Sequence, residues 1–282
     1  MSLTLNVDGS GNANHLQAKF LAMSTLSNVR VDGRNFTESR IPTISSIIPT
    51  RDSISVELTL GATRVHTALS FESGSPNPER PKEGSFSLKL NSLPSLFDKP
   101  STGELESHFY IHRLLETVYK FSKAIDLERL CIRSGEQVWN LCASITILDC
   151  SDGNVIGCSS YSLLCALFSV EMYNRLCTFK YPDVALSYTP PDEDLLKNSK
   201  LNLNNIRPCM LIDPCQLEEI HCVGDIIVSI DPNTKDVFSV YKRGLSMPAF
   251  EITRFIEKHS ISVAKTIISA LRNQLSQHIN KL

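Results

Sequence analysis

Hydrophobic and polar residues alternate along the first half of the chain in several short runs. The clearest run has four apolar residues, each separated by one polar residue: Ile54, Val56, Leu58 and Leu60. This alternation is typical of a β-strand with one buried face, and the Gly61-Ala62-Thr63 step leads into a second run over residues 64–71. A β-hairpin or meander is therefore predicted, followed by a proline-bearing loop over residues 73–82 and a further strand over residues 85–90.

A spacing of three to four residues, or a continuous apolar run, predicts three helices in the first 173 residues. Residues 14–26 are predicted to form a short amphipathic helix whose apolar side packs on a surface or a partner: Leu16, Phe20, Met23 and Leu26. Residues 104–124 form the first long helix, which should lie across the sheet on its apolar side: Ile111, Leu114, Leu115, Val118 and, just beyond, Ile125. Residues 158–173 are nearly all apolar and predict a buried helix, with Ser159 and Ser160 as its caps.

Between the two long helices, another alternating strand is predicted to end at the Asp152-Gly153 turn: Trp139, Leu141, Ala143, Ile145 and Ile147. Residues 186–205 are polar and proline-bearing and are predicted to link two halves. Strands are then predicted over residues 209–212, 226–230 and 237–241, and helical spacing runs from Pro248 almost to Leu282. Strands followed by helices in each half predict a layered α/β fold.

Composition places the chain among globular proteins. Of its 282 residues, 42% are hydrophobic and 21% are charged, which excludes disordered, collagen-like and membrane compositions. The net charge of -2 excludes binding to nucleic acid through an overall positive field, so any contact with nucleic acid has to be local. The polar start lacks a secretory-signal pattern, and the apolar stretch over residues 161–170 is too short to span a bilayer, so an intracellular protein is predicted.

The cysteine pattern indicates neither a disulfide framework nor a metal site. Nine cysteines are scattered mostly through apolar stretches, without a C-x-x-C pair, which is typical of reduced thiols in a core. His221 lies close to Glu219 and Cys222 in the sequence, but this is not the spacing of zinc ligands. Since no Gly-rich nucleotide-binding motif occurs either, neither a metal nor a cofactor is predicted.

Short motifs occur in a fixed order from residue 30 onward. They are R-V-D-G-R at 30–34, V-E-L-T-L-G-A-T-R-V at 56–65, S-K-A-I-D-L-E-R-L-C at 122–131, S-G-E-Q-V-W at 134–139, D-G-N-V-I at 152–156, and I-D-P at 212–214 with E-E at 218–219. Together they resemble the signatures of the RNase PH-like ring subunits of the eukaryotic RNA exosome. The runs at 122–131 and 134–139 resemble one subunit type in particular, the polymyositis-scleroderma autoantigen.

The resemblance implies an RNase PH-like layered α/β fold of two strand-and-helix halves. A tail with a short helix would occupy residues 1–29, the first half residues 30–190 and the second half residues 191–282. It also implies other RNase PH-like exosome subunits as partners in a six-membered ring, RNA as a ligand, and a location in the nucleus and cytoplasm. The expected function is that of a structural and RNA-guiding subunit that supports 3′-5′ RNA processing and degradation.

Active members of this family use phosphate to attack the last internucleotide bond of RNA, which requires arginines and a Gly-rich loop around the phosphates. In this chain Ile156 occupies the position of an arginine, and Arg243-Gly244-Leu245-Ser246 replaces the Gly-rich loop. Glu219 and Asp225 remain as an acidic pair, but carboxylates without cationic partners repel phosphate. The resemblance therefore predicts no catalysis. The alternatives are an active phosphorolytic 3′-5′ exoribonuclease and an unrelated small-molecule enzyme such as a kinase, for which no phosphate-binding loop is visible.

The candidate RNA-binding residues lie on the predicted helix over residues 104–124. Arg113, Lys120 and Lys123 recur at helical intervals on one exposed stripe that also contains Glu116. The resemblance places Lys120 at an RNA-facing position, although Glu116 stands where a second RNA-facing arginine is expected. An ordinary solvated helix face with a Glu116–Lys120 pair explains the same pattern, and this is the favoured interpretation for Arg113.

Overall fold

The computed structural model describes residues 17, 20–21, 23–24, 27, 29–93, 102–121, 125–176, 210–222, 224–230, 237–244 and 248–279. Within these ranges the side chains of 102–107, 121, 175–176, 221 and 279 are not described. The chain forms two compact units, one from Met1–Arg40 with Pro190–Thr266 and one from Ile41–Thr189 with Ile267–Leu282. We call them the terminal unit and the sheet unit. The predicted boundaries at residues 30 and 190 stay a prediction, and the predicted linker lies outside the described residues.

The sheet unit is built on a six-stranded sheet. Its strands are β1 (Thr43–Pro49), β2 (Ser53–Leu60), β3 (Thr63–Gly74), β4 (Ser85–Ser92), β5 (Cys131–Arg133) and β6 (Gln137–Asp149). The order is β1-β2-β3-β6-β4, with β5 also paired to β6, and only the β4–β6 pairing is parallel. The predicted alternation is confirmed, because the four apolar side chains of β2 are completely buried.

Two helices cover this sheet. Helix α1 (Thr102–Glu116) continues into a π-helical turn (Thr117–Phe121) and contacts β4, whereas α2 (Val155–Leu176) packs across β2, β3 and β6. The predicted apolar stripe of α1 is only partly correct, because Tyr119 is buried and Val118 is half-exposed. A π-helical turn contains more residues than an α-helical turn, so it moves the buried position one residue further along the chain.

Helix α2 begins earlier than the sequence indicated. It starts at Val155, so Ser159 and Ser160 lie inside the helix and the prediction that they cap it was wrong. Asn154 takes that place: its Oδ1 accepts a hydrogen bond from the Gly157 backbone N–H at 3.1 Å. Asn154 has a φ of 49°, a left-handed conformation that asparagine tolerates better than most residues. In the sequence, the short polar residue directly after Gly153, Asn154, was the signal that could have identified this cap.

By length and composition alone, residues 155–174 could cross a membrane, with a mean hydropathy of 1.5. The apolar segment is thus longer than the 161–170 stretch that was taken as too short. More than half of this window is buried inside the protein. Because its buried side chains cover the strands of the sheet unit, the helix has the character of a core helix.

The terminal unit contains shorter elements. They are α3 (Gln216–His221), β7 (Gly224–Ile230), β8 (Val237–Gly244), α4 (Ala249–Phe255), a π-helical turn (Ile256–Ser260) and the start of α5 (Ile261–Ile279). Strands β7 and β8 pair antiparallel, close to their predicted bounds.

The strand predicted over residues 209–212 is wrong for its described part, 210–212. There the Ile212 N–H donates to the Phe36 carbonyl oxygen and its own carbonyl accepts from Arg30, so side-chain and loop contacts replace a strand partner.

The N-terminal helix is described at Gln17, Phe20, Leu21, Met23 and Ser24. Among these residues Leu21 is buried, whereas Phe20 and Met23 are 60% and 61% exposed. Phe20 and Met23 of the predicted apolar side are therefore not buried by this unit. Leu16 and Leu26 lie outside the described residues, and packing of this side on a partner stays a prediction.

Candidate functional site

Arg30 and Glu218 form a buried ion pair in the terminal unit. Arg30 is 3% exposed. Its Nε and Nη2 donate to the two carboxylate oxygens of Glu218 at 3.0 and 2.6 Å. Its remaining N–H groups donate to backbone carbonyls of Asn35, Glu38, Ile212 and Asp213. Burial lowers the pKa of the Arg30 guanidinium, but the hydrogen bond and charge of Glu218 outweigh burial, so the pKa is raised and the group stays charged.

A second carboxylate, Asp213, holds two further arginines. Arg40 donates from Nε and Nη2 to Asp213 at 2.8 Å each, and Arg34 donates from Nη1 at 3.0 Å. Arg34 also pairs with Asp32 at 2.6 Å. Asp213 has a φ of 53°, so the chain turns sharply at the residue whose side chain collects these contacts. Hydrogen bonds between charged groups in this paired geometry fix the orientation of the arginine and aspartate side chains.

We call Arg30, Asp32, Arg34, Arg40, Asp213 and Glu218 the arginine cluster. It joins the R-V-D-G-R motif to the I-D-P and E-E motifs almost two hundred residues later. Three guanidinium groups meet three carboxylates, so the cluster neutralises itself and its arginines are occupied. Its role is therefore structural. The sequence did not predict this contact between the three motifs, because no local pattern indicates that Arg30 faces Glu218.

The turn before α2 contains Ile156, at the position that the resemblance assigns to a phosphate-binding arginine. Ile156 is half-buried in the first turn of the helix and offers no hydrogen-bond donor from its side chain. The polar groups of the turn are already used: Asp152 accepts from the Ala62 N–H at 3.2 Å, and Thr63 donates to the Gly153 carbonyl at 2.8 Å. These contacts fasten the turn to the β2–β3 connection rather than leaving it open to an anion.

The described part of the former Gly-rich loop lies at the end of β8. Arg243 Nε donates to Asp225 Oδ1 on β7 at 3.1 Å, and the strand ends at Gly244, which has a φ of 85°. Leu245 and Ser246 lie outside the described residues. Glu219 is exposed on α3, and the acidic residue Asp225 has a cationic partner of its own. Arg243 and Asp225 therefore partly cancel each other's charge.

Metal and thiol chemistry find little support in the described part of the chain. No group of three or more His, Cys, Asp or Glu side chains among the described residues could hold a metal ion, and the His221 side chain lies outside them. The described cysteines are free thiols. Burial raises the pKa of the Cys165 thiol to about 12 and that of Cys222 to about 11, so both stay protonated near neutral pH.

The candidate RNA-binding stripe lies on α1 and the π-helical turn that follows it. Arg113 and Lys120 are exposed, and Lys120 Nζ lies 3.3 Å from Glu116 Oε1. Arg113 forms no ion pair with any described residue. Lys123 lies outside the described residues. His112 holds the helix on β4, since its Nε2 lies 2.9 Å from the Leu88 carbonyl oxygen. Tyr119 holds the π-helical turn on α2, since its hydroxyl donates to the Ser160 carbonyl oxygen at 2.9 Å.

Comparisons with known proteins agree with the motifs. No family model matches the chain. Exosome complex component rrp45 of Schizosaccharomyces pombe is 24% identical over 282 residues, covering 93% of this chain and 91% of that protein. Human exosome complex component RRP45 is 26% identical over 279 residues. The chain is similar to RRP45-type exosome components.

RRP45-type relatives differ in how much of their length the chain matches. It spans 91% of the S. pombe protein but 60% of the human one. Among solved structures, a chain described as the Archaeoglobus fulgidus exosome with RNA bound to the active site has a TM-score of 0.69 and 22% identity, covering 92% of this chain and 99% of that one. The predicted RNase PH-like α/β fold is confirmed by this likeness.

Proposed function

We propose that this chain is a structural and RNA-guiding subunit of an exosome core ring that supports 3′-5′ RNA processing and degradation. Its partners would be other RNase PH-like subunits in a six-membered ring, with RNA passing through the ring. The similarity to RRP45-type components, which extends over more than nine tenths of the chain, carries this proposal. Since such relatives are eukaryotic exosome components, we expect the chain in the nucleus and the cytoplasm.

We further propose that the chain does not catalyse phosphorolysis. A phosphorolytic centre needs cations and N–H donors directed at the phosphates that react. Ile156 supplies a hydrocarbon at the arginine position, and Arg243 is paired with Asp225. The arginine cluster contributes nothing here, because its guanidinium groups already face carboxylates.

RNA guidance would depend on α1. Arg113 supplies exposed positive charge on a helix whose other side is anchored in the sheet unit. Lys120 adds a second exposed cation, whose charge Glu116 partly offsets at 3.3 Å. Lys123 would extend the same stripe. Exposed cations attract phosphates without sequence preference, which suits a surface over which many RNAs must pass.

The purified chain should release no nucleoside diphosphates from 3′-labelled RNA in the presence of phosphate and magnesium. Thin-layer chromatography of the products measures this directly, with an active bacterial-type phosphorolytic enzyme as the positive control. Asp225→Asn is the matched variant, because a catalytic mechanism in this chain would need the Asp225 carboxylate. Diphosphate release by the wild-type chain that disappears in Asp225→Asn would contradict the non-catalytic proposal and leave the exosome assignment intact.

A further inference from the structure

Helix α1 leaves one large apolar side chain in solvent. Phe109 is 72% exposed, the highest value among the large hydrophobic residues of the described part of the chain. Its helix neighbours Leu114 and Leu115 are buried, so the helix does have a packed side that Phe109 does not join. Because its ring is exposed, Phe109 contributes almost none of the stabilising free energy that a buried phenylalanine supplies to folding.

Phe109 lies on the stripe that also contains the exposed cations. Phe109, Arg113 and Glu116 follow one another at intervals of four and three residues within α1, which places them on the same side of the helix. Lys120, in the π-helical turn, lies beside this stripe because its Nζ is 3.3 Å from Glu116 Oε1. Arg113 comes one turn after Phe109, a rise of about 6 Å along the axis. The ring therefore lies next to a guanidinium that has no ionic partner among the described residues.

We infer that Phe109 stacks against an unpaired base of single-stranded RNA while Arg113 contacts the neighbouring phosphate. This inference rests on the proposed RNA-guiding function and deepens it. Surfaces that bind single strands without sequence preference combine cations along the backbone path with aromatic rings for the bases. Phenylalanine and arginine also occur at protein interfaces, but glutamate and lysine are depleted there. A protein partner is less well matched, because Glu116 and Lys120 follow Arg113 along the helix.

The test measures binding of two fluorescein-labelled probes of equal length, oligoadenylate RNA and an abasic ribose-phosphate strand, to the full chain in complex with its paralogues. Phe109→Leu should raise the Kd for oligoadenylate by about 5- to 100-fold, the range expected for losing one stacked base, and leave the Kd for the abasic strand unchanged. Phe109→Tyr should restore binding. Ile48→Ala, at an exposed apolar residue on β1, the edge strand opposite the β4 edge that α1 contacts, is the control and should bind like the wild type.

The salt dependence separates this inference from the function on which it rests. Arg113→Gln should lower the slope of log Kd against log salt by about one for both probes, whereas Phe109→Leu should not change the slope. Wild-type affinity of Phe109→Leu for oligoadenylate, with Arg113→Gln weakened, would overturn the stacking inference and keep the RNA-guiding proposal. Unchanged binding in both variants would overturn the stacking inference and the role proposed for Arg113 in RNA guidance. Loss of paralogue binding by Phe109→Leu, with RNA affinity unchanged, would show that the Phe109 side chain contacts another subunit instead of RNA.

Discussion

At the scale of single residues, the arginine cluster makes the fold depend on pairs rather than on individual charges. A buried ion pair adds little net stability compared with a well-packed apolar pair, because both charges lose their hydration. Removing only one partner has a much larger effect, since the other charge is left buried and uncompensated. Arg30 and Glu218, at 3% and 5% exposure, are in this position.

Glu218→Leu should therefore lower the free energy of unfolding by about 3–5 kcal/mol, because it strands the Arg30 guanidinium in the interior. Urea denaturation followed by circular dichroism measures this. The neighbouring residue provides the control: Glu219 is exposed, and Glu219→Leu should change the free energy by no more than about 0.5 kcal/mol. Equal effects of the two substitutions would argue against a structural role for the Arg30–Glu218 pair.

At the scale of elements, one side chain of α5 satisfies the backbone at the edge of the sheet. Strand β1 is an edge strand, so part of its backbone has no strand partner. Gln274 Oε1 accepts from the Ile44 N–H at 2.9 Å, and Gln274 Nε2 donates to the Pro42 carbonyl oxygen at 3.0 Å. The amide thus pairs with the edge as a neighbouring strand would. Ile267, Leu271 and Leu275 bury the same helix beside it.

Gln274→Leu should lower the free energy of unfolding by about 1–3 kcal/mol, because it removes both hydrogen bonds from partly buried backbone groups. Faster hydrogen exchange of the Ile44 amide is the specific readout. Gln277→Leu, at an exposed position one turn later, should leave that exchange rate unchanged. An Ile44 amide that exchanges equally fast in the wild type and in Gln274→Leu would contradict the contact.

The elements predicted correctly are those whose sequence pattern reflects burial directly. The side chains of β2 alternate because one side of the strand faces the core, and α2 is apolar all round because the sheet and other elements surround much of it. A sequence pattern does not reveal a feature that depends on one unusual helical turn or on contact with a residue far away in the chain. The π-helical turn at Thr117–Phe121 moved the buried position to Tyr119, and the arginine cluster requires residues 30 and 218 to meet.

At the scale of the whole molecule, the surface of the terminal unit has several exposed apolar side chains. They include Phe20, Met23, Ile220, Phe238, Val240 and Phe250. Phenylalanine and methionine are enriched at subunit contacts relative to the rest of a protein surface. The proposed ring would supply surfaces of this kind from neighbouring subunits.

Alone, the chain should self-associate, and co-expression with an RNase PH-like paralogue should give a soluble heterodimer that further paralogues extend to a closed ring. Native mass spectrometry of the co-purified complex determines the stoichiometry. Phe238→Ser combined with Val240→Ser should reduce self-association if the exposed side of β8 contributes. A chain that remains a monodisperse monomer with every paralogue offered would contradict the assembly proposal.

The arginine cluster also constrains how the protein is made. Arg30 and Glu218 are separated by 188 positions in the chain, so the arginine leaves the ribosome long before its carboxylate exists. At typical rates of synthesis the delay is about 10–40 s. During that interval the N-terminal segment carries the three arginines of the cluster but only one of its carboxylates, Asp32, because Asp213 and Glu218 are made later. A chain whose synthesis stops before Glu218 cannot form the arginine cluster. We expect chaperones and proteases to act on such incomplete chains, because their N-terminal segment lacks its later partners.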